Sequence, residues 1–167
     1  MQHTVLSVRQ PWAGLLVEGI KRFEVRSWSP PAGSGWLLIH ASSSKTPGLR
    51  ELREYSAFKR ALRRAKMVDD RSWIQSAIVG AARFTHFHDT WKEHDIPKRL
   101  TENDHMMIGE FPSRFLWRVA ECQRFIEPIP CHGRLNLWKT DKALSRQVEY
   151  RVTCDMPDYR PWLPATG

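Results

Sequence analysis

The sequence predicts an α+β fold, a small mixed β-barrel of five or six strands with two or three flanking helices. Three observations lead there. Strand-like segments rich in β-branched and aromatic residues recur along the chain: HTVLSV, KRFEVRSW, GWLLIHAS, SAIVGAARFTHFHDT, FLWRVAECQRFIEPIP and GRLNLWK. Helical periodicity is confined to two or three stretches, too few to alternate with the strands as β-α-β units do. At 167 residues with 41% hydrophobic residues, eight of them tryptophan, the chain is long enough to bury one core of ordinary domain size.

HTVLSV stops at Gln10-Pro11, and proline suits the first turn of a helix, where its missing N–H costs nothing. Trp12, Leu15, Leu16 and Gly19 then fall at i, i+3, i+4 and i+7, which predicts a short helix ending at Gly19, the natural C-cap. Beyond it the period changes to two. Phe23 and Val25 should enter the core while Arg22, Glu24 and Arg26 face the other way. Pro30, Pro31, Gly33 and Gly35 make a turn before the buried strand GWLLIHAS. A helix is predicted from about Leu49 to Lys66, with Leu52, Tyr55, Phe58, Leu62 and Ala65 as its apolar stripe and Arg53, Arg60, Arg63 and Arg64 outside. Gly80 interrupts the next strand, a common place for a bulge. Residues 91–112 read as a long polar loop with one helical turn, followed by FLWRVAECQRFIEPIP and GRLNLWK. A short helix, KALSRQVEY, leads into a proline-bearing tail expected to be poorly ordered. Residues 1–145 are thus expected to form the domain and residues 146–167 a partly irregular C-terminal extension.

Lys and Arg number 26 against 18 Asp and Glu, a net charge of +8, which suits a polyanionic partner. No apolar run approaches the roughly 18 residues of a membrane helix, and MQHTVLSVRQ lacks the regions of a signal peptide, so an intracellular, cytoplasmic protein without a membrane partner is expected. Cys122, Cys131 and Cys154 are odd in number and contain no CxxC pair, which fits a reducing compartment.

The densest chemistry lies just after the first helix. A helix that ends abruptly at Gly19 holds Lys21 at the turn, and Glu24 and Arg26 project from one face of the strand behind it. A cationic pair can hold a phosphate, and the carboxylate between can accept from a base's amino or imino groups, with Trp12 or Trp28 to stack it. The bland alternative is a surface ladder of salt bridges. If the cluster is catalytic, the arginines favour ionised Glu24 and disfavour charge on Lys21, which suits an acceptor beside a general base. In HFHDTWKEHD, His86 and His88 share a strand face with His94 and Asp95 close behind; such spacing can bind zinc, but a strand running into a polar loop is the expectation, with no metal or cofactor. The arginine-rich helix is either a solvated face or a phosphate-contacting surface. Cys131-His132 has no third orienting group for a nucleophile.

LSVRQPWAGLLVEGIKRFEVRSW, GWLLIHASSSK, SAIVGAARFTHFHD and PIPCHGRLNLWKTD together resemble the ASCH (activating signal cointegrator homology) domain, within the PUA-like superfamily. The resemblance covers most of residues 4–141. It implies a PUA-like barrel with a cleft between first helix and barrel that accepts RNA, DNA or a nucleobase, in RNA processing or transcription coactivation. The family's G-x-K-x-x-E-x-R motif falls on Gly19, Lys21, Glu24 and Arg26; its Q-P-W is Gln10, Pro11 and Trp12; its H-A-S strand end is His40, Ala41 and Ser42, with Lys45 on the same rim. Some relatives are acetylcytidine amidohydrolases that use a lysine, a threonine and a glutamate, and others are described as ribonucleases. Here the lysine is Lys21, the threonine position holds Glu24, and the third residue has no assigned match. The leading expectation is therefore a monomeric nucleic-acid binder. The alternatives are a hydrolase using Lys21 and Glu24, on RNA or on acetylcytidine, and a protein-interaction module.

Overall fold

The computed structural model describes residues 1–30, 35–108 and 115–156. Its six strands are β1 (Thr4–Arg9), β2 (Phe23–Arg26), β3 (Trp36–Ser42), β4 (Ala77–Asp89), β5 (Phe115–Pro130) and β6 (Leu137–Lys139). They form one sheet in the order β2-β5-β4-β3-β1-β6, antiparallel throughout except for the parallel pair β1/β3. The sheet curls on itself, since the Arg26 guanidinium on edge strand β2 donates to the Ser7 carbonyl on β1 at 2.7 Å. Its helices are α1 (Trp12–Val17), α2 (Leu49–Leu52), α3 (Ser56–Arg64), α4 (Glu102–Ile108) and α5 (Lys142–Asp155).

A six-residue helix such as α1 is unstable alone in water. Here Ala13 to Val17 are all buried, and Leu16 and Val17 pack with Leu6, Ile39, Val79, Phe84 and Trp117 in the main core. Gly19 ends it as expected, with φ +69° and its N–H on the Leu16 carbonyl at 3.0 Å. The Ile20 and Lys21 N–H groups both return to Leu15 O at 2.9 Å, so the turn that carries Lys21 is tied to the helix.

The bulge lies beside Gly80: Ile39 pairs with Gly80 and His40 with Ile78, which leaves Val79 unpaired between them. The glycine is required by close approach, because a Cβ there would lie 2.2 Å from the Gln123 carbonyl of β5.

Three elements differ from the sequence expectations. The single helix over 49–66 is two, α2 and α3. In a straight helix Leu52 and Phe58 would point about 120° apart; the break lets Leu52 join Phe58, Ala61 and Leu62 in the cluster around Leu15, and it leaves Tyr55 exposed. The region read as a loop contains α4, and residues 109–112 of it lie outside those described. Thr101 and Asp104 cap this helix reciprocally: Thr101 N–H donates to Asp104 Oδ2 at 2.7 Å, and Asp104 N–H to Thr101 Oγ1 at 3.2 Å. Finally, α5 runs on to Asp155, with Val148, Val152 and Met156 buried against Val5, Leu38, Ile78 and Phe125, so the sheet is covered on its second face too. The expected boundary at 145 falls inside this helix, and the rest of the proline-bearing tail, 157–167, lies outside the described residues.

Candidate functional site

A cleft of about 920 Å³ opens at the C-terminal ends of the parallel pair β1/β3. Ser7 to Arg9 with His40 and Ser42 to Ser44 form one side, and Glu24 to Arg26 of β2 with Ser27 and Trp28 just after it form another; α4 adds Met106 to Ile108, and the 132–136 segment closes the rim. Trp12 of α1 lines it, and so does Leu52 of α2.

At its floor the local sequence delivers a buried ion cluster. Glu24 Oε2 meets Lys21 Nζ at 3.1 Å and Oε1 meets Arg26 Nη2 at 2.9 Å, with the Lys21 and Glu24 side chains 3% and 6% exposed. Lys21 Nζ also donates to the Phe23 carbonyl. Burial, the largest influence on Glu24, works against its charge, yet the two cations and their hydrogen bonds outweigh it and hold its pKa below the usual carboxylate value. Burial pushes the Lys21 ammonium down, and Glu24 only partly opposes this. Among the described residues Arg26 Nε is buried and meets no acceptor, while its guanidinium carbon stands 6.0 Å from the Trp28 ring centroid.

The surface ladder is thus replaced by an interior cluster, and the alternation of β2 does not separate core from solvent. Phe23 is covered by Ile108 of α4 on one face, and Glu24 is buried on the other. Arg22 leaves the group altogether and pairs with Asp104 of α4 through two nitrogens.

His40 is buried at the cleft wall. Its Nε2–H donates to the Cys131 carbonyl at 3.2 Å, and Nδ1 lies 3.4 Å from Ser7 Oγ. Burial pushes its pKa down, which keeps the ring neutral in this tautomer. Ser7 Oγ–H in turn donates to Arg134 O at 2.6 Å, Trp138 Nε1–H donates to Ser7 Oγ at 3.1 Å, and Gly133 lies so close that a Cβ would meet the His40 ring at 2.1 Å. His40 and Ser7 therefore seat the 132–136 rim.

Trp12, Lys21, Glu24, Arg26, His40 and Ser42 of the sequence-selected residues share this cleft. Gln10 does not line it: its amide nitrogen donates to Ile74 O at 2.7 Å and its oxygen accepts from Gly14 N–H at 3.0 Å, so it braces the start of α1. Lys45 is exposed and outside the lining set. Sequence reasoning misses Ser7, the α4 methionines and the 132–136 rim. Thr101-x-x-Asp104 ahead of Met106, Met107 and Ile108 is a capping signal that could have revealed α4; nothing local marks Ser7.

Of the two β4 histidines, His88 serves the turn that follows the strand and His86 only its neighbour. His88 Nδ1–H donates to Asp95 O at 2.8 Å, and His86 Nδ1 faces Thr85 Oγ1 at 3.1 Å. Among the described residues no group of three or more His, Cys, Asp or Glu is placed to hold a metal ion, and no helix is long and apolar enough to cross a membrane.

The ASCH domain model matches residues 6–129, three quarters of the chain and all of the cleft except its 132–136 rim. The chain belongs to the ASCH domain family. This ASCH domain is 31% identical over 140 residues to human activating signal cointegrator 1, and 30% identical over the same length to the mouse protein. In each case the match takes 83% of this chain but only 22% of the relative, so the chain spans about a fifth of the proteins it matches. The crystal structure of ASCH from Zymomonas mobilis superposes on 89% of this ASCH domain and 94% of its own chain, with a TM-score of 0.50 at 16% identity. That likeness supports the α+β fold.

Proposed function

We propose that this ASCH domain binds single-stranded nucleic acid, RNA foremost, by admitting a nucleobase to the cleft between α1, β2 and the 132–136 rim. The observation that carries the reading is the Lys21–Glu24–Arg26 cluster at the cleft floor. Burying Lys21 and Glu24 and covering most of Arg26 is costly unless they are paired, and a fold that needed only stability would be served as well by apolar side chains there. The cluster places an ionised carboxylate, able to accept from a base edge, beside the Arg26 guanidinium, whose Nε–H meets no acceptor among the described residues. Trp12 and Trp28 flank it as aromatic faces, and stacking on such faces contributes about 1 to 3 kcal/mol per base. Family membership and the +8 charge support the same partner class. A place in RNA processing or transcription coactivation fits the relatives named for signal cointegration.

A second reading, hydrolysis, is favoured by one observation: burial lowers the pKa of Lys21, which brings its amine closer to service as a base. One experiment separates the two. Single-stranded RNA containing acetylcytidine is incubated with the protein, its binding is followed by fluorescence anisotropy, and the RNA is then weighed by mass spectrometry. The binding reading expects intact, still acetylated RNA and an affinity that falls about 5- to 150-fold in Trp28→Ala, the range equivalent to that stacking energy. Shortened or deacetylated products that vanish in Lys21→Met would instead establish the hydrolase. No binding even at low salt would refute the RNA reading, and unchanged affinity in Trp28→Ala would refute the cleft.

A further inference from the structure

Outside the cleft, the strongest single-sign surface on the described residues is α3. Its segment SAFKRALRR contains four basic residues and no acidic one, and Lys66 follows within two positions. Lys59, Arg60, Arg63, Arg64 and Lys66 are all exposed. Arg60 makes a hydrogen bond to Ser56 Oγ at 3.2 Å, and no carboxylate pairs with any of the five among the described residues. Lys59 with Arg63 and Arg60 with Arg64 are i,i+4 pairs of like charge. Each such pair destabilises a helix, where one glutamate at either position would reverse the sign. Arg63 and Arg64 alone could be explained by the helix C-terminus, which favours cations. Lys59 and Arg60 sit before that last turn and have no such explanation.

The position of α3 supplies the second half of the argument. Its buried face packs directly behind the cleft wall: the Phe58 ring meets that of Trp12, which itself lines the cleft, at 5.6 Å and a tilt of 57°, and Leu52, four residues before Ser56, lines it too. The exposed basic face spans about 10 Å from Lys59 to Lys66, on the side of the helix away from Phe58, so a strand that leaves the cleft reaches it by passing over the α2–α3 edge where Leu52 lines the cleft.

We infer that the basic face of α3 is a backbone track, which binds the phosphates of a single-stranded nucleic acid whose base occupies the cleft. The inference rests on the cleft reading for its polarity and deepens it. It gives the protein two subsites, one for a base and one for the sugar-phosphate chain beyond it.

The test uses the full chain and fluorescein-labelled oligouridylates of two and twelve nucleotides, with anisotropy titrations between 50 and 200 mM salt. Lys59, Arg60, Arg63 and Arg64 are changed together to Gln, and a second variant swaps each for the other cation (Lys59→Arg, Arg60→Lys, Arg63→Lys, Arg64→Lys). The expected result is a twelve-mer affinity about tenfold or more weaker in the Gln variant at 50 mM salt, with dinucleotide affinity unchanged. The slope of log affinity against log salt should flatten by about 0.7 for each phosphate that is no longer neutralised. The cation-swapped variant should bind like the parent. The Gln variant should melt no lower than the parent, since it removes repulsion from the helix. An unchanged twelve-mer slope overturns the track, as does an equal loss at both lengths. A polyglutamate peptide that competes as well as the twelve-mer would also overturn it, by assigning the face to an acidic protein. If the dinucleotide fails to bind the parent while the twelve-mer still depends on α3, the cleft reading falls and the track stands.

Discussion

Removing the Glu24 carboxylate should be among the most damaging single changes this fold can suffer short of a backbone clash. Both of its oxygens are ion-paired, at 3.1 and 2.9 Å, in a place where its side chain and that of Lys21 are almost completely withdrawn from water. Glu24→Gln keeps the shape but turns one acceptor into an N–H donor that faces a cation, and solvent cannot compensate. Breaking a buried pair in this way costs about 3 to 5 kcal/mol. At about 2 to 4 °C per kcal/mol for a chain of this size, the melting temperature should fall by about 6 to 20 °C. Lys21→Met should cost less, because Glu24 keeps Arg26 and the thioether fills the space of the lysine stem. The double variant should then be less harmful than the sum of the two, with a coupling of about 1 to 3 kcal/mol. Urea unfolding followed by tryptophan fluorescence measures all four states of the cycle. Acid adds a signature. The folded pKa of Glu24 is lowered, so its stabilisation is fully present above the unfolded value near 4.3 and is lost as pH falls through the folded value. Glu24→Gln should therefore lose less stability on acidification than the parent. A cost under about 1 kcal/mol, or additivity within about 0.5 kcal/mol, would mean that the cluster is solvated and that its interior placement is wrong.

Gly80→Ala should destabilise by more than the roughly 1 to 3 kcal/mol of ordinary overpacking, because its Cβ meets a backbone carbonyl, whereas Gly35→Ala, with open space around its Cβ, should be nearly silent in the same thermal melt. Gly133→Ala should displace the rim rather than unfold the core, which would appear as altered His40 imidazole resonances and a changed cleft affinity with little change in melting temperature. His3 and His40 have pKa values lowered chiefly by burial. The unfolded chain thus takes up their protons first, and stability should fall as pH drops from about 6.5 toward their folded values. NMR titration checks this directly: both rings should protonate below about pH 6.5, and a normal midpoint for either would refute its burial.

What is legible in the sequence is what local chemistry fixes. A positive φ at Gly19 follows from an amphipathic turn that runs out at glycine, and it carries Lys21 with it; the spacing to Glu24 and Arg26 is then set by strand geometry alone. The bulge beside Gly80 is legible for the same reason. Gln10 is carried into the cleft by the likeness to the family's Q-P-W motif, but its amide is held by Gly14 N–H four residues on and by Ile74 O, a partner set by where a loop 64 residues away returns. Ser7 and the 132–136 rim are invisible in the sequence because they meet only once β1 lies between β3 and β6. Arg22 groups with Glu24 by proximity in sequence, whereas α4, hidden in a polar stretch, supplies the stronger partner in Asp104.

The closing of the sheet and the formation of the site turn on the same residue. Arg26 pairs with Glu24, reaches the Ser7 carbonyl to join β2 to β1, and stands beside Trp28. A base that engages the Arg26 guanidinium would therefore also tighten the join between β2 and β1, and occupancy should raise stability by mass action, about 2.7 kcal/mol at a hundredfold excess over Kd. The converse is that substitution of Arg26 confounds binding with folding. Trp28, half-buried on the cleft wall, takes no part in the contacts of Arg26 with Glu24 and Ser7, but its ring packs edge-on against Trp117 at 4.8 Å, so the affinity lost in Trp28→Ala is read beside its melting temperature.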